Sequence, residues 1–263
     1  MASERIIQWD KLGEHLYETG IDHVVLYLAG DTATDGPGHN GYLAGVAWNG
    51  ITGITQKPSG GEETKLWADN IKYLSLRSAE DFGATITAYT YPVEWEACDG
   101  SFAITAETIA GIMSVSQQPR RTFGLTYRTL VGNDLLGNDY SYKLHILYGC
   151  TTSPSERANS TVNESPSANE MSWEVSTTPV DPNITISGKA LKPTAHIEID
   201  VSQIASLPSS DTHKAALLAK VATIEDYLYG HTADSTASPA ITELSPQILL
   251  PNDIYTILTA TNG

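Results

Sequence analysis

The sequence is short of positive charge. Fifteen Lys and Arg stand against 31 Asp and Glu, a formal net charge of −16 over 263 residues with a pI near 4.6. Proteins that grip nucleic acid do so through clustered Lys and Arg on the phosphates. The deficit therefore excludes tight general nucleic-acid binding, although DNA can still pass a surface that repels it. Cysteine is nearly absent, with Cys98 and Cys150 alone. Neither sits in a paired metal-type spacing, and two cysteines do not make a disulfide-stabilised secreted scaffold. Both are expected as free thiols in a reducing cytoplasm. No apolar stretch reaches the ~20 residues of a membrane span. Residues Met1 to Tyr17 carry Glu4, Arg5, Asp10, Lys11 and Glu14 with no apolar segment between them, which is not a signal-peptide pattern. The chain is expected to be made in the cytoplasm and to leave it only inside a larger particle.

Charge of either sign is thin, at 17% of residues against roughly 25% in ordinary soluble proteins. The 29 threonines fill much of the gap. Threonine is β-branched, which suits a pleated surface, and polar without charge. Hydrophobic residues make up 41%, enough for a core and too many for wholesale disorder. The length allows one large all-β domain or two modest ones.

Strand and turn patterns dominate the chain. Asp22–Leu28 is a short buried strand. Asp31–Gly41 is a loop rich in Gly, Asp and Pro. Leu43–Thr55 is a strand interrupted by Gly, followed by the charged loop Gln56–Glu63. Asn70–Arg77 alternates as a strand, with Ile71, Tyr73 and Ser75 on one face and Lys72, Leu74 and Leu76 on the other. Gly83–Tyr91 is β-prone with neither face charged, and Pro92–Asp99 is one or two helical turns opened by proline. The clearest unit is a long β-hairpin over Arg121–Tyr148. It has Phe123, Leu125, Tyr127 and Val131 on one face of its first strand. Its second strand carries Tyr140, Tyr142, Leu144, Ile146 and Tyr148 on one face, and Gly132–Asp139 supplies the turn. The opposite faces hold Thr126, Arg128, Ser141, Lys143 and His145 and read as polar but thinly charged. Glu170–Thr178 and Thr194–Val201 alternate as half-buried strands. One helix follows, capped by Ser210 or Asp211, striped by Leu217, Val221, Ile224 and Leu228, and ended by Gly230. His231–Ser238 is a linker, and Ile241–Leu258, with two prolines, a semi-ordered tail. The pattern predicts a mainly β fold: a β-sandwich or curled barrel with one flanking α-helix and long inter-strand loops. It divides into residues 1–230 and a C-terminal extension, 231–263.

No set of residues converges on a catalytic pattern. His196, Glu198 and Asp200 share one strand face, but ligands strung along one strand lie too far apart for a single cation; a solvated or intersubunit face is expected. There is no GxSxG, and Ser59-Gly60-Gly61 has no neighbouring His. Gly60-Gly61 lacks the Lys-Ser or Lys-Thr of a phosphate loop. Glu94 and Glu96 diverge on a helical turn. The sequons at Asn159, Asn163 and Asn183 mean nothing without secretion. Thirteen Tyr and five Trp fit core and interface positions better than nucleic-acid stacking, which needs basic neighbours on the same face. No enzymatic activity, cofactor or metal is expected.

Several segments resemble the major tail proteins, or tail tube proteins, of long-tailed phages with non-contractile tails. They are Trp9–Gly20 (WDKLGEHLYETG), Gly45–Leu76 (GVAWNGITGITQKPSGGEETKLWADNIKYLSL), Phe82–Gly100 (FGATITAYTYPVEWEACDG), Arg120–Gly149 (RRTFGLTYRTLVGNDLLGNDYSYKLHILYG), Ser172–Pro179 (SWEVSTTP), Lys192–Asp200 (KPTAHIEID) and Ile224–Gly230 (IEDYLYG). Together they span most of residues 1–230 in order. The Gly30–Tyr42 loop and the chain beyond Gly230 are longer than the family pattern. The resemblance implies a β-sandwich with a flanking helix, assembled into hexameric rings that stack into a hollow tube within the virion tail. It implies as partners further copies of the chain, a tape measure protein, and tail terminator and distal tail proteins, with double-stranded DNA in transit and not specifically bound. Residues Asn49–Asn70, with Pro58, Ser59, Gly60, Gly61, Glu62 and Glu63 at the tip, match the long loop that meets the adjacent ring. Asn133, Asp134, Asn138 and Asp139 sit on the hairpin turn, a second candidate contact. The alternatives are a tail terminator, a secretion-type tube ring, or a carbohydrate-binding β-sandwich, which would present clustered exposed aromatics on a monomer.

Overall fold

A computed structural model describes residues 11–30, 40–104, 113–155, 157, 159, 161, 168–208, 210–233 and 242–260. Residues 31–39 of the Asp31–Gly41 loop, 234–238 of the linker, and Asn163 lie outside them. In chain order the strands are β1 Tyr17–Leu28, β2 Val46–Ala47, β3 Ile51–Gln56, β4 Ser59–Gly60, β5 Glu63–Ala68, β6 Ile71–Arg77, β7 Glu80–Asp81, β8 Gly83–Ala88, β9 Ser101–Ile104, β10 Met113–Ser116, β11 Phe123–Asn133, β12 Gly137–Thr152, β13 Met171–Thr177, β14 Thr185–Ile186, β15 Lys189–Ala190 and β16 His196–Asp200. The helices are α1 Glu96–Asp99, α2 Val201–Ala205, α3 Thr212–Tyr229 and α4 Pro251–Thr259. The fold is mainly β, as the composition and alternation predict.

The main sheet runs β2-β1-β11-β12-β13-β8-β3, with β16 also pairing β12, and all its pairings are antiparallel. It curls around one of its own faces. Val24 and Leu26 from β1, Phe123, Leu125 and Tyr127 from β11, Leu147 and Cys150 from β12, Trp173 and Val175 from β13, and Ala84 and Ile86 from β8 share one buried cluster. Strands from both ends of the sheet order can meet in one cluster only if the sheet wraps. Trp48, Trp95 and Trp173 fill the centre, with Trp48 and Trp95 centroids 4.3 Å apart and Trp95 edge-on to Trp173 at 5.4 Å. Trp95 arrives on a 3-10 turn, Val93–Trp95, that precedes α1. Cys98 and Cys150 are free thiols in this core, and burial pushes the Cys98 thiol up to about 12.

The outer face of the sheet is not polar, contrary to the sequence expectation. The β11–β12 register places Tyr127 opposite His145 and Thr126 opposite Ile146, so Leu144, Ile146 and Tyr148 point away from the face of Phe123, Leu125 and Tyr127. They enter a second core with Ile224 and Leu228 of α3 and with Ile248, Leu249 and Ile254. Thr126 and His145, expected on a polar face, are 0% and 2% exposed. Two buried tyrosines fasten this layer. Tyr27 donates to the Leu228 carbonyl at 2.6 Å and Tyr148 to the Leu249 carbonyl at 2.8 Å. Arg128 of β11 donates to both carboxylate oxygens of Asp22, at 2.9 and 3.0 Å, and lies 3.5 Å from Glu225 of α3.

Helix α3 follows its sequence signals. Asp211 caps it by accepting from the His213 amide, Val221, Ile224 and Leu228 are buried, and Gly230 closes it at φ 70°. The segment read as a semi-ordered tail differs. Pro251 opens α4 at the first helical position, where a missing N–H costs nothing, and the Asp253 carboxylate accepts from the Leu250 amide at 3.1 Å. The helical layer is therefore α3 with α4, not one helix. Ile254 is 3% exposed. Ile254→Ala should destabilise the protein by about 2–4 kcal/mol in denaturant unfolding; a change within about 0.5 kcal/mol would mean the segment behaves as a tail.

Candidate functional site

Between β3 and β8 the chain leaves the sheet for 26 residues, numbers 57–82, and returns. The two legs of this excursion are joined first by β4 and β7, with Ser59 opposite Asp81 and Gly60 opposite Glu80. Beyond them the Gly61 amide donates to the Ala79 carbonyl at 3.3 Å, and Glu62 and Ser78 exchange bonds of 3.1 Å. Strands β5 and β6 then form a free two-stranded arm from Glu63 opposite Arg77 to Ala68 opposite Ile71. Asp69 and Asn70 turn it, with φ of 51° and 61°. A two-residue turn with both φ positive matches strand twist, and Asn and Asp tolerate it best of the non-glycine residues.

The arm tip is thus Asp69–Asn70. Pro58, Ser59, Gly60, Gly61, Glu62 and Glu63, placed at a loop tip by the sequence reading, form the arm's root. The Glu63 carboxylate accepts from Lys72 and Ser75 across the arm. The Lys72 contact, then that of Ser75, holds its pKa below the usual carboxylate range.

A register shift between Leu66 and Trp67 sets which side chains share a face. Leu66 lies opposite Leu74 and Thr64 opposite Leu76, whereas Trp67 lies opposite Lys72. Tyr73 is the extra residue, and the bulge brings Ile71 onto the face of Leu74 and Leu76. Strict alternation had put Ile71 on the other side. The outcome is an aliphatic stripe of Leu66, Ile71, Leu74 and Leu76, all 41–63% exposed, with Trp67 at 67% and Tyr73 at 71% also in solvent. A lone two-stranded hairpin is at best marginally stable in water, and no other strand or helix among the described residues pairs with this one. Its basic residues, Lys65, Lys72 and Arg77, outnumber its acidic ones, Glu63 and Asp69, in a chain of net charge −16.

Further exposed apolar residues follow the other end of the same strands in the chain. Gln56 and Gly83 sit at the arm end of β3 and β8, and Ile51 pairs Ala88 at the far end. Tyr89 and Val93 follow Ala88 in the chain, Phe102 and Met113 lie on the paired strands β9 and β10, and all four are at least 52% exposed. Glu96 accepts from the Ser114 hydroxyl of β10 at 2.8 Å. Six strand residues separate the arm root from the far end of β8, about 20 Å.

Three of the four hairpin-turn candidates are engaged within the chain. Asn133 is 4% exposed and accepts from the Leu135 and Leu136 amides at 3.1 and 2.7 Å, which shapes the turn. The Asp134 carboxylate accepts from the Gly13 amide at 2.9 Å and meets His15 Nδ1 at 3.2 Å. Asn138 accepts from the Tyr17 hydroxyl at 3.0 Å, and the Asp139 side chain is exposed. These residues tie down the segment before β1. No hydrogen bond or ion pair among the described residues joins this turn to the arm. Trp67, Tyr73 and the aliphatic stripe were absent from the sequence-based candidates. The Asp69-Asn70 turn between two apolar tetrads, KLWA and IKYL, was their signal.

Comparison with known proteins gives little. No family model matches the chain, and no curated protein does. Among solved structures, a chain from the cryo-EM structure of the anti-feeding prophage baseplate, six-fold symmetrised, aligns with 74% of this chain and 99% of its own. The identity is 8% and the TM-score 0.32. A likeness of that size carries no argument about role.

The Asp134 tether gives a pH-dependent expectation. The Gly13 amide, and then His15, hold its carboxyl below the usual range, so the contact is complete above about pH 4 and is lost as acid protonates the group. Asp134→Ala should speed exchange of the Gly13 amide at pH 7 to the rate of an open chain while leaving the unfolding midpoint unchanged. Unaltered Gly13 exchange would show that the tether does not hold the segment.

Proposed function

We propose that this chain is a self-assembling structural subunit of a phage tail, of the tail-tube kind, and not an enzyme. The observation that carries the reading is the arm: four aliphatic and two large aromatic side chains held out, 41–71% exposed, on a two-stranded hairpin. Full burial of a residue such as Leu or Ile gains about 1.5–3 kcal/mol, so a partner surface is the natural complement. Another copy supplies one: Tyr89, Val93, Phe102 and Met113 are exposed in segments that follow the far end of β8, and Glu94 and Glu96 of the same stretch oppose in charge an arm richer in Lys and Arg. Contact between unlike ends is head-to-tail, which propagates as a ring or an open stack. The segment resemblance supports the same reading and supplies its setting: hexameric rings stacked in a virion tail, with a tape measure protein, a terminator and a distal tail protein as further partners, and DNA passing an acidic wall without specific binding.

Sedimentation velocity tests this. The wild-type protein should form species larger than a monomer as concentration rises. The triple variant Leu66→Ser, Ile71→Ser, Leu74→Ser should weaken association by about 100-fold or more, since each 1.4 kcal/mol is tenfold, with no loss of thermal stability. Equal association by the variant would contradict the proposal, as would a wild-type monomer that binds glycans.

A further inference from the structure

Two histidines from separate strands meet where the arm joins the sheet. His145 of β12 lies opposite Glu198 of β16, and His196, two residues before Glu198, reaches across to it. Their Nδ1 and Nε2 atoms are 3.2 Å apart, and the ring planes differ by 8° with centroids at 5.4 Å. That centroid spacing is too wide for face contact, so the rings lie edge to edge and share one N–H between them. His145 Nε2 is 3.0 Å from the Thr129 hydroxyl. The pair extends into a run of near-parallel rings, with Tyr127 4.6 Å from His145 and Phe82 4.8 Å from His196.

Both legs of the arm end on this pair. Gln56, the last residue of β3, donates to the Tyr127 hydroxyl at 2.8 Å and places the same nitrogen 3.4 Å from His145 Nδ1. Phe82, the residue before β8, stacks on His196, and its carbonyl accepts from Thr177 at 2.6 Å. A cleft of about 270 Å³ beside His196 is lined by Pro58, Glu80 and Asp81 from the legs.

We propose that the His145–His196 pair is an acid-released joint, holding the root of the arm while both imidazoles are neutral and loosening it when either takes a proton. The surroundings favour neutrality. His145 is 2% exposed, and its near partners are Thr129, Gln56, Tyr127 and the other imidazole, all uncharged. Glu198, the nearest carboxylate, lies 3.8 Å from His145 Nδ1 and is engaged at 3.3 Å by Lys143, which also pairs with Glu18 of β1. Glu80 and Asp81 line the open cleft on the outer side of His196. Among the described residues of the core, a positive charge arriving on the pair finds no uncommitted counter-ion. Burial, then the neighbouring His145, push His196 down to about 4, and burial lowers His145 as well. The sign follows. The native joint binds fewer protons than the opened one, so its stability is complete above about pH 6.5 and drains away as pH falls toward 4. A histidine that titrates at 6.5 when released and about 4 when held favours opening by about 30-fold at pH 5.0 relative to pH 7.5. This device is a property of the arm root alone and stands whether or not the arm joins another copy.

Hydrogen exchange, corrected for intrinsic rates, tests it at pH 7.5 and 5.0 on peptides covering residues 54–60 and 80–86. In the wild type, opening of both peptides should rise about 30-fold while α4 is unchanged. H196Q should remove most of the rise, and H213Q, at an exposed histidine, should not. A wild type with no rise, or an H196Q variant with the wild-type rise, overturns the proposal. Should H196Q fail to fold, imidazole NMR of the wild type decides: two buried histidines titrating near 6.5 overturn it, and titration below about 5 supports it.

Discussion

Phe123, Leu125 and Tyr127 leave β11 toward one core, while Leu144, Ile146 and Tyr148 leave β12 toward another. That two-sided burial of a single hairpin governs the rest of the architecture. A sheet covered on both faces cannot present either to solvent, so on one side it must curl over its own strands around the three tryptophans. On the other it must recruit α3 and α4. Tyr27 and Tyr148 make the outer layer specific by donating to carbonyls at the end of α3 and just before α4. Each such bond adds about 1 kcal/mol net, and each would leave a buried group unpaired if broken.

With the sheet committed to internal burial, exposed apolar area is pushed to excursions from its ends. The arm of β5 and β6 leaves at one end, and Tyr89, Val93, Phe102 and Met113, all exposed, lie in segments that follow the other end in the chain. Neither is explained by the stability of the monomer. Exposed apolar side chains on a hairpin that lacks cover are a liability for a free protein, and they become intelligible when the folded unit is one member of a series. The chain's low charge fits the same logic, since surfaces that meet other copies cannot carry many desolvated charges.

What could be read from the sequence follows from how local each signal is. The β11–β12 hairpin and α3 announce themselves through periodicity, turn residues and caps that lie within a few residues of one another. The phase of β6 was misread because one extra residue, Tyr73, slips the alternation, and a bulge has no signature in a strand this short. Pro246 and Pro251 read as breakers beyond Gly230, yet Pro251 occupies a helix start, and only contact with α3 and the sheet makes α4 worth forming. The second faces of β11 and β12 looked polar because Thr126 and His145 are polar residues; Thr126 lies on the side of Ile146 that the helices cover, and His145 lies on the opposite side beside Gln56 and His196. The His145–His196 pair joins residues 51 apart through a strand register, so no local pattern could have shown it. The sequence reading put the tip of the excursion at Pro58–Glu63, which is its root, and missed its extension to Asp69–Asn70.

The central claim is that the arm is a contact between copies of the chain. Electron cryo-microscopy of the purified protein at high concentration tests it most directly. The account predicts six-fold rings or hollow tubes in which residues 63–77 of one subunit lie against the Tyr89–Met113 end of a neighbour. Particles that assemble with the arm free in solvent, or a protein that stays monomeric at every concentration, would contradict it.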